Sequence, residues 1–344
     1  MTGQPQAVHT RLPVPSRIDA ASGEARRAQL TVQRSARRVM LHPKYGRGPV
    51  AVDVRYLWTG APDAPTVVVQ GGISADRDVV TSPAAATPGW WQGLVGEGRA
   101  IDLRQWRVLA IDWLESAELD APSVSSEDQA DAIAALLGEL GIHRVQAFVG
   151  ASYGAMVALA FAARHPQAVA RLVLLAGAHR PHPLATAQRS VQRNIVRLGQ
   201  ASGRVEEALA LARQLAMTTY RGSEEFARRF DAPPVQVDGR FRFPVEDYLE
   251  QAGRRFVQRF DAGRFLALSE SIDLHEVRPE AVTVPATLIG FASDRLVPLT
   301  DLCELQRRLG GGGTLAVLDS PYGHDAFLKE TEQLAPLLRD ALCA

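Results

Sequence analysis

The residues with the most suggestive chemistry are Gly150-Ala151-Ser152-Tyr153-Gly154, which stand between an apolar run and a helix-forming run of small residues. Two glycines at this spacing permit a tight turn from a strand into a helix, and such a turn presents the central serine at the N-terminus of the helix. The free amides and the dipole at that end of a helix favour negative charge. The pattern therefore predicts that Ser152 is a nucleophile.

A serine hydroxyl needs a neighbouring base, and the base needs a carboxylate that orients it. Among the eight histidines, His324 follows the last apolar run of the chain. Asp294 follows the preceding apolar run, so the order along the chain is serine, acid, histidine. Two alternatives stay open. Asp294 could instead cap the helix that begins near Pro298, and Asp112 is a second carboxylate that follows an apolar run.

Acyl chemistry at a serine also needs two backbone amides that stabilise the negative charge on the reacting oxygen. The start of the predicted helix supplies the amide of Tyr153. The loop Gly71-Gly72-Ile73 follows an apolar run, and its glycines allow a substrate to approach the backbone closely. We expect the second amide to come from Gly72 or Ile73, with an ordinary turn as the alternative for this loop.

Short apolar runs alternate with helix-forming segments along most of the chain, and this alternation must position the candidate side chains. The runs predicted as strands are 50–58, 66–70, 106–112, 144–149, 171–177, 286–292 and 314–319. Nearly continuous apolar strands separated by helices are typical of a parallel sheet covered on both faces, in which the loops after the strands converge on one crevice. We therefore predict an α/β fold with a mostly parallel, doubly wound sheet.

This alternation is interrupted once, by a long arginine-rich and helix-forming stretch without a strong strand signal. We predict that residues 180–277 form a helical cap inserted into a core made of residues 46–179 and 278–344. Residues 1–45 are rich in Arg, Ser, Pro and Gly without sustained periodicity. We expect a poorly ordered N-terminal extension there.

Composition narrows the classes of function. The 344 residues carry 38 basic and 38 acidic side chains, and 46% of them are hydrophobic. A balanced charge without a polybasic block argues against nucleic acids and membrane surfaces as partners. The two cysteines, Cys303 and Cys343, are too few for a disulfide framework or a metal cluster, and we expect no metal and no other bound cofactor. Without a leader-like or membrane-spanning apolar segment, we expect a cytoplasmic protein.

Several segments together resemble the homoserine O-acyltransferases of methionine biosynthesis, a family of the α/β-hydrolase fold. They are GASYGAMVALAFAARHP, LALARQLAMTTYRGSEEFARRF, VEDYLEQAGRRFVQRFDAGRFLALSESIDLHEV and GHDAFL. The resemblance covers most of residues 50–344. It includes the predicted cap, which unrelated hydrolases have no reason to share.

The resemblance implies acyl transfer by a ping-pong route, in which Ser152 takes an acetyl or succinyl group from acyl-CoA and L-homoserine then accepts it. It implies that Asp294 and His324 complete a triad with Ser152. It also implies Arg193 as a ligand of the substrate carboxylate and Asp325 as a ligand of the substrate ammonium. A homodimer formed through the cap is a further implication.

The chain departs from the family pattern near the predicted acyl pocket. Ala155 follows Gly154 where the family has a second glycine, and Gln70 stands where the family's oxyanion loop begins with histidine. Trp90 and Trp91 could line the acyl pocket or belong to the core. The sequence leaves the choice between acetyl and succinyl donors open. It also leaves open an acyltransferase acting on L-serine, a hydrolase of small esters on the same fold, and a binding protein without catalysis.

Overall fold

The computed structural model of the chain describes residues 31–81 and 88–344. The strands are β1 (Thr31–Leu41), β2 (Val50–Gly60), β3 (Thr66–Gln70), β4 (Val95–Gly96), β5 (Ile101–Asp102), β6 (Arg107–Ile111), β7 (Ala147–Ala151), β8 (Leu172–Leu175), β9 (Val235–Val237), β10 (Arg240–Arg242), β11 (Ala286–Phe291) and β12 (Gly313–Leu318). Eight of them form one sheet in the order β1-β2-β6-β3-β7-β8-β11-β12. β2 pairs antiparallel with β1 and β6, whereas the other neighbours run parallel. The predicted α/β fold with a mostly parallel sheet is confirmed.

Ten α-helices surround this sheet in the described ranges. They are α1 (Ser126–Glu139), α2 (Tyr153–Arg164), α3 (Pro183–Ala201), α4 (Val205–Tyr220), α5 (Ser223–Phe230), α6 (Pro244–Val257), α7 (Ala262–Asp273), α8 (Leu299–Arg308), α9 (Ala326–Lys329) and α10 (Thr331–Cys343), with 3₁₀ turns at Pro166–Ala168, Pro279–Ala281 and Gly323–Asp325. α1 begins at a capping box formed by Ser125 and Asp128, which satisfy each other's backbone amides. α2 is buried along most of its length, as its small apolar residues require.

The core consists of two apolar layers, one on each face of the sheet. Successive residues of a strand point to opposite faces, so in β3 Val68 belongs to one layer and Val67 and Val69 to the other. Residues of α1 and α2 pack in the first layer, and residues of α10 pack in the second. Because both faces are buried, the central strands read as nearly continuous apolar runs.

The N-terminal part is more ordered than the sequence indicates. Strand β1 spans Thr31–Leu41, within the predicted poorly ordered extension 1–45, and it pairs with β2 along its full length. Its side chains are mostly polar and exposed, so hydrophobic periodicity gives little sign of it, and pairing with β2 defines the strand instead. The prediction was wrong for this segment. Residues 1–30 lie outside the described part of the chain.

Between β8 and β11 the chain forms the helices α3 to α7 and a short hairpin. The hairpin pairs β9 with β10 through Asp238-Gly239, a turn pair typical of hairpins, and it was not predicted. α3 packs against α4 and α7, and α4 also packs against α6. The division of the chain into a core and a cap at 180 and 277 remains a prediction. Among the helices of the described ranges, none combines the length and the apolar character needed to cross a membrane.

Candidate active site

The structure brings Ser152, His324 and Asp294 into one chain of hydrogen bonds. The Ser152 Oγ lies 2.8 Å from His324 Nε2, and His324 Nδ1 lies 2.7 Å from Asp294 Oδ2. The His324 and Asp294 side chains are both buried. A base at hydrogen-bonding distance from a hydroxyl, with a carboxylate on its other ring nitrogen, can activate a serine for attack.

Asp294 is fixed by the loop that follows β11. Its Oδ1 accepts hydrogen bonds from the amides of Leu296 and Val297 at 2.8 and 3.1 Å, which leaves Oδ2 for His324. The carboxylate therefore caps a turn and orients a histidine at the same time, whereas α8 has Pro298 at its N-cap. The alternative acid, Asp112, forms an ion pair with Arg55 instead.

Ser152 occupies a strained turn between β7 and α2. Its φ angle is +55°, in the left-handed region that non-glycine residues rarely adopt. The turn is tight enough to require both flanking glycines. A Cβ atom on Gly150 would lie 2.3 Å from the Gly154 carbonyl oxygen, and one on Gly154 would lie 2.2 Å from the Gln70 carbonyl oxygen. The glycines thus permit the turn that exposes the serine hydroxyl to the cavity.

The predicted oxyanion residues Tyr153, Gly72 and Ile73 line the same cavity as Ser152. A Cβ atom on Gly72 would lie 3.8 Å from the Ser152 Cβ, so the loop passes close to the nucleophile. The Gly72 carbonyl oxygen accepts a hydrogen bond from Trp113 Nε1 at 3.0 Å. Because the C=O and N–H of a trans peptide point in opposite directions, this bond turns the Ile73 amide away from Trp113. The Ile73 amide has no hydrogen-bond acceptor among the described residues.

The electrostatic environment makes His324 a stronger base than an ordinary histidine. Burial alone lowers the pKa of His324, but the charge of Asp294 and the hydrogen bond to it, together with the charge of Asp325, outweigh that effect and raise the pKa. The positive charge of Arg189 acts in the opposite direction. The neutral imidazole that can accept a proton therefore forms above the usual pH range for histidine.

Ser152 and His324 open into a cavity of about 260 Å³, which we call the reaction cavity. Residues of α3, α4 and α7 form one side of it. On α4, the ring of Tyr220 lies 6.1 Å from the ring of His324, and the Arg213 guanidinium lies 5.2 Å from the Tyr220 ring. In the described part of the chain Arg213 has no carboxylate partner. Its charge is therefore available to an anionic group in the cavity.

Of the two residues predicted to bind the substrate, the structure brings one into the cavity. Asp325 lines it, directly after His324, and Arg221 Nε lies 2.8 Å from its Oδ2. Arg193 does not line the cavity. Its Nη1 donates to Asp273 Oδ2 at 2.6 Å and to the backbone oxygen of Ser269 at 3.0 Å. Arg193 is therefore not positioned for the direct contact with a substrate carboxylate that the resemblance implied.

A second cavity of about 630 Å³ adjoins the first, and we call it the outer cleft. Arg213 and Arg259 line both cavities. The wall made by α6 adds Tyr248, Arg255 and Phe256. Across the described ranges, neither Arg255 nor Arg259 has a carboxylate partner. Acidic residues line the outer cleft as well, namely Asp76, Asp78, Asp112, Glu115 and Asp261.

The structure shows the surroundings of Gln70, which departs from the family pattern, and of the two tryptophans Trp90 and Trp91. Gln70 Oε1 accepts the Ile111 amide at 2.9 Å, so this buried side chain joins the ends of β3 and β6. Trp90 lines the reaction cavity, as one of the two sequence alternatives had it. Trp91 belongs to the core, where its Nε1 donates to the Phe327 carbonyl oxygen at 2.9 Å.

Arg189, Arg213 and Tyr220 line the cavity, and none of them was predicted from the sequence. Helical spacing could have found them. Arg189 and Arg193 are four residues apart on α3 and share a face, while Arg213 and Tyr220 are seven residues apart on α4 and share another. With arginines this frequent in the segment, however, spacing alone does not tell which of them face the substrate.

Fold and site together define the class: the chain has the α/β-hydrolase fold, with a serine, a histidine and an aspartate joined by hydrogen bonds at a cavity. The family model of the alpha/beta hydrolase fold matches residues 65–331. The crystal structure of homoserine O-acetyltransferase from Bacillus anthracis superposes with a TM-score of 0.80 at 18% sequence identity, and the match covers 91% of this chain and 97% of that one. At this identity the superposition shows the fold.

Sequence comparison gives a narrower assignment. The homoserine O-succinyltransferase of Xanthomonas campestris pv. campestris is 50% identical over 301 residues, which is 87% of this chain and 81% of that protein. The L-serine/homoserine O-acetyltransferase of Streptomyces lavendulae is 34% identical over 78% of this chain and 85% of its own length. The chain therefore belongs to the homoserine O-acyltransferase family, and the resemblance seen in its motifs is confirmed.

Proposed function

We propose that this enzyme transfers an acyl group from acyl-CoA to the hydroxyl of L-homoserine through an acyl-Ser152 intermediate. The observation that carries the proposal is the hydrogen-bonded chain Ser152–His324–Asp294 at a cavity that also offers Arg213 and Asp325. The names of the relatives support homoserine as the acceptor. The product, an O-acylhomoserine, belongs to methionine biosynthesis.

In the first half-reaction, Ser152 Oγ attacks the thioester carbonyl carbon while its proton passes to His324 Nε2. The negative charge on the carbonyl oxygen is stabilised by the amides of Tyr153 and of Ile73, or Gly72 in the same loop. The bond between carbon and sulfur then breaks, and His324 returns the proton to the CoA sulfur. Asp294 holds the imidazole orientation and stabilises its charged form.

In the second half-reaction, the acceptor takes the place that CoA has left. Its hydroxyl gives a proton to His324 Nε2 and attacks the acyl carbon. The ester bond to Ser152 then breaks, and Ser152 Oγ recovers the proton. The same base thus serves both nucleophiles in turn, which requires a pocket that holds the acceptor in place better than it holds water.

We assign the amino-acid group of the acceptor to Arg213 and Asp325. A homoserine molecule carries a carboxylate and an ammonium, and these two side chains present the opposite charges on the side of the cavity next to His324. For Arg193 we propose an indirect role, because it contacts Asp273 and not the cavity. Asp273 in turn holds Arg189, which does line the cavity.

We propose that acyl-CoA approaches through the outer cleft. Its phosphate groups need cations, and Arg255 and Arg259 are free to supply them. The adenine ring can pack on Tyr248 or Phe256, which line the same wall. Succinyl-CoA is the donor that the 50% identical relative's name favours, with acetyl-CoA as the alternative. CoA serves here as a co-substrate, and we propose no bound cofactor or metal.

We further propose that the enzyme is a homodimer formed through the cap and works in the cytoplasm, where acyl-CoA is available. Exposed apolar side chains recur every seven residues on α3, at Leu184, Val191 and Leu198, and Leu211 of α4 is also exposed. An apolar stripe of this kind suits a second copy of the chain. Light scattering of the wild type and of a Val191→Asp variant tests the dimer, since the charge should yield a monomer.

The test of the function is release of CoA from succinyl-CoA or acetyl-CoA with L-homoserine, L-serine or no amino acid. We expect release to depend on L-homoserine and the product to be the O-acyl amino acid. One methylene separates the two acceptors, which is worth about 10- to 200-fold in selectivity. Preference for L-serine would assign the alternative acceptor, and release without an acceptor would make the enzyme a hydrolase.

A further inference from the structure

A largely buried cluster of three charged side chains lies beside the reaction cavity. Asp273 Oδ1 accepts hydrogen bonds from Arg189 Nε at 2.9 Å and Nη2 at 2.6 Å, and Asp273 Oδ2 accepts one from Arg193 Nη1 at 2.6 Å. The exposed fractions of the three side chains are 13% for Arg189, 9% for Asp273 and 9% for Arg193. Two guanidinium groups thus share one carboxylate, and the cluster carries a net charge of +1.

A net charge in a buried position is costly unless an opposite charge meets it. Within the described ranges, neither Arg189 nor Arg193 has a second carboxylate partner. Asp301 also lines the reaction cavity, but it forms no ion pair with either of them. The cluster therefore lacks one negative charge, and a bound anion can supply it.

Arg189 is the member of the cluster through which an anion can be bound. It lines the reaction cavity, whereas Arg193 and Asp273 do not. A guanidinium has five N–H donors, and Asp273 occupies the Nε donor and one of the Nη2 donors. Three donors remain, which is enough for a carboxylate held by two hydrogen bonds.

Two of the arginines that line the cavity, Arg213 and Arg189, suit two different carboxylates, whereas Arg259, which also lines the outer cleft, is assigned to CoA. Arg213 and Asp325 both line the cavity, and together they match an amino acid, which carries both charges. The wall around Arg189 adds the neutral side chains Gln188, Gln192 and Ser269. A positive wall without an acid matches a group that carries only a negative charge.

We propose that Arg189, held by Asp273 and Arg193, binds the terminal carboxylate of the acyl group, so that the enzyme selects a dicarboxylic acyl-CoA such as succinyl-CoA. This inference rests on the proposed acyl transfer. It assigns donor selectivity to α3, a helix that belongs to the predicted cap and not to the triad or the oxyanion loop.

The experiment compares succinyl-CoA with butyryl-CoA, whose acyl chain has the same length and ends in a methyl group. With saturating L-homoserine, we expect wild-type kcat/KM to be about 100-fold higher for succinyl-CoA. Arg189→Leu should lose about 100-fold with succinyl-CoA, change by less than about threefold with butyryl-CoA, and leave the KM for L-homoserine unchanged. Arg197→Gln, on the exposed side of the same helix, is the matched control and should behave as wild type.

The outcomes separate this inference from the proposed function. If the wild type uses both acyl-CoAs equally well, or if Arg189→Leu lowers both to the same extent, the inference is overturned and acyl transfer stands. A raised KM for L-homoserine in Arg189→Leu overturns it as well, because Arg189 then binds the acceptor. If the wild type transfers neither acyl group but transfers acetyl from acetyl-CoA to L-homoserine, the inference is overturned and acyl transfer stands. If it transfers none of the three, the function and the inference fall together. Even where Arg189→Leu does not fold, equal use of both acyl-CoAs by the wild type overturns the inference.

Discussion

The described part of the chain contains two serine–histidine pairs with nearly the same hydrogen bond, one half-buried and one buried. Ser152 Oγ lies 2.8 Å from a histidine nitrogen in the candidate site, and Ser126 Oγ lies 2.7 Å from His275 Nδ1 where α1 meets the end of α7. Beyond this bond the two pairs differ in every respect that matters for catalysis. His324 has Asp294 on its other nitrogen and opens into a cavity. The Ser126–His275 pair lines neither of the two cavities described above.

The two histidines also respond to burial in opposite ways. Burial, together with the positive charges of His179 and Lys44, lowers the pKa of His275 to about 3. His275 therefore stays neutral at ordinary pH and links α1 to the segment that follows α7. At His324 burial is overcome by Asp294, so the imidazole gains a proton readily. The comparison teaches that the carboxylate and the cavity, more than the serine–histidine contact, make a site reactive.

The largest expected difference between the two pairs appears when their serine hydroxyls are removed in turn. Ser152→Ala should lower CoA release by about 10⁶-fold, because no other group can form the acyl intermediate. Ser126→Ala should retain wild-type turnover. Both variants are assayed with acyl-CoA and L-homoserine and treated with a serine-directed fluorophosphonate. Labelling of Ser126, or turnover in Ser152→Ala, would contradict the assignment of the nucleophile.

The carboxylate is the second difference between the pairs. Asp294→Asn should lower kcat by about 10⁴-fold, because the amide cannot stabilise the charged imidazole and favours the wrong tautomer. Asp112→Asn is the control, since Asp112 was the alternative acid and pairs with Arg55. It should keep most of the activity. The reverse result, with Asp112 essential and Asp294 dispensable, would reassign the acid.

The sequence predicted the site and the sheet better than the cavity walls. Ser152, Asp294 and His324 each follow a strand, and parallel strands deliver their following loops to one edge, so chain order alone brings these residues together. Strand β1 was missed because its polar residues show little periodicity. Arg193 and Arg189 were harder still. Which of two arginines on one helix face reaches the cavity depends on where Asp273 of another helix lies, and a sequence pattern does not contain that information.

The third difference is the pKa, and it predicts a pH dependence. The base must be neutral to accept a proton, so the rate of CoA release in the first half-reaction should rise with pH, with a midpoint above about 6.5. Asp325 raises the pKa of His324, so Asp325→Asn should move this midpoint to lower pH. The pre-steady-state burst of CoA measures it without the acceptor, which Asp325 is proposed to bind. A midpoint that stays in place would show that Asp325 does not act on His324.

The smallest expected effect concerns stability and tests the role of the second pair. Ser126→Ala should lower the free energy of unfolding by about 1–3 kcal/mol, because it leaves the buried His275 Nδ1 without its partner. The helix cap is not affected, since Ser125 forms it. Ser123→Ala is the matched control. Because this buried hydroxyl has no partner among the described residues, its removal should change the free energy of unfolding only a little. Urea unfolding measures the stability of both variants. Equal stability of the two would mean that the Ser126–His275 hydrogen bond does not stabilise the fold.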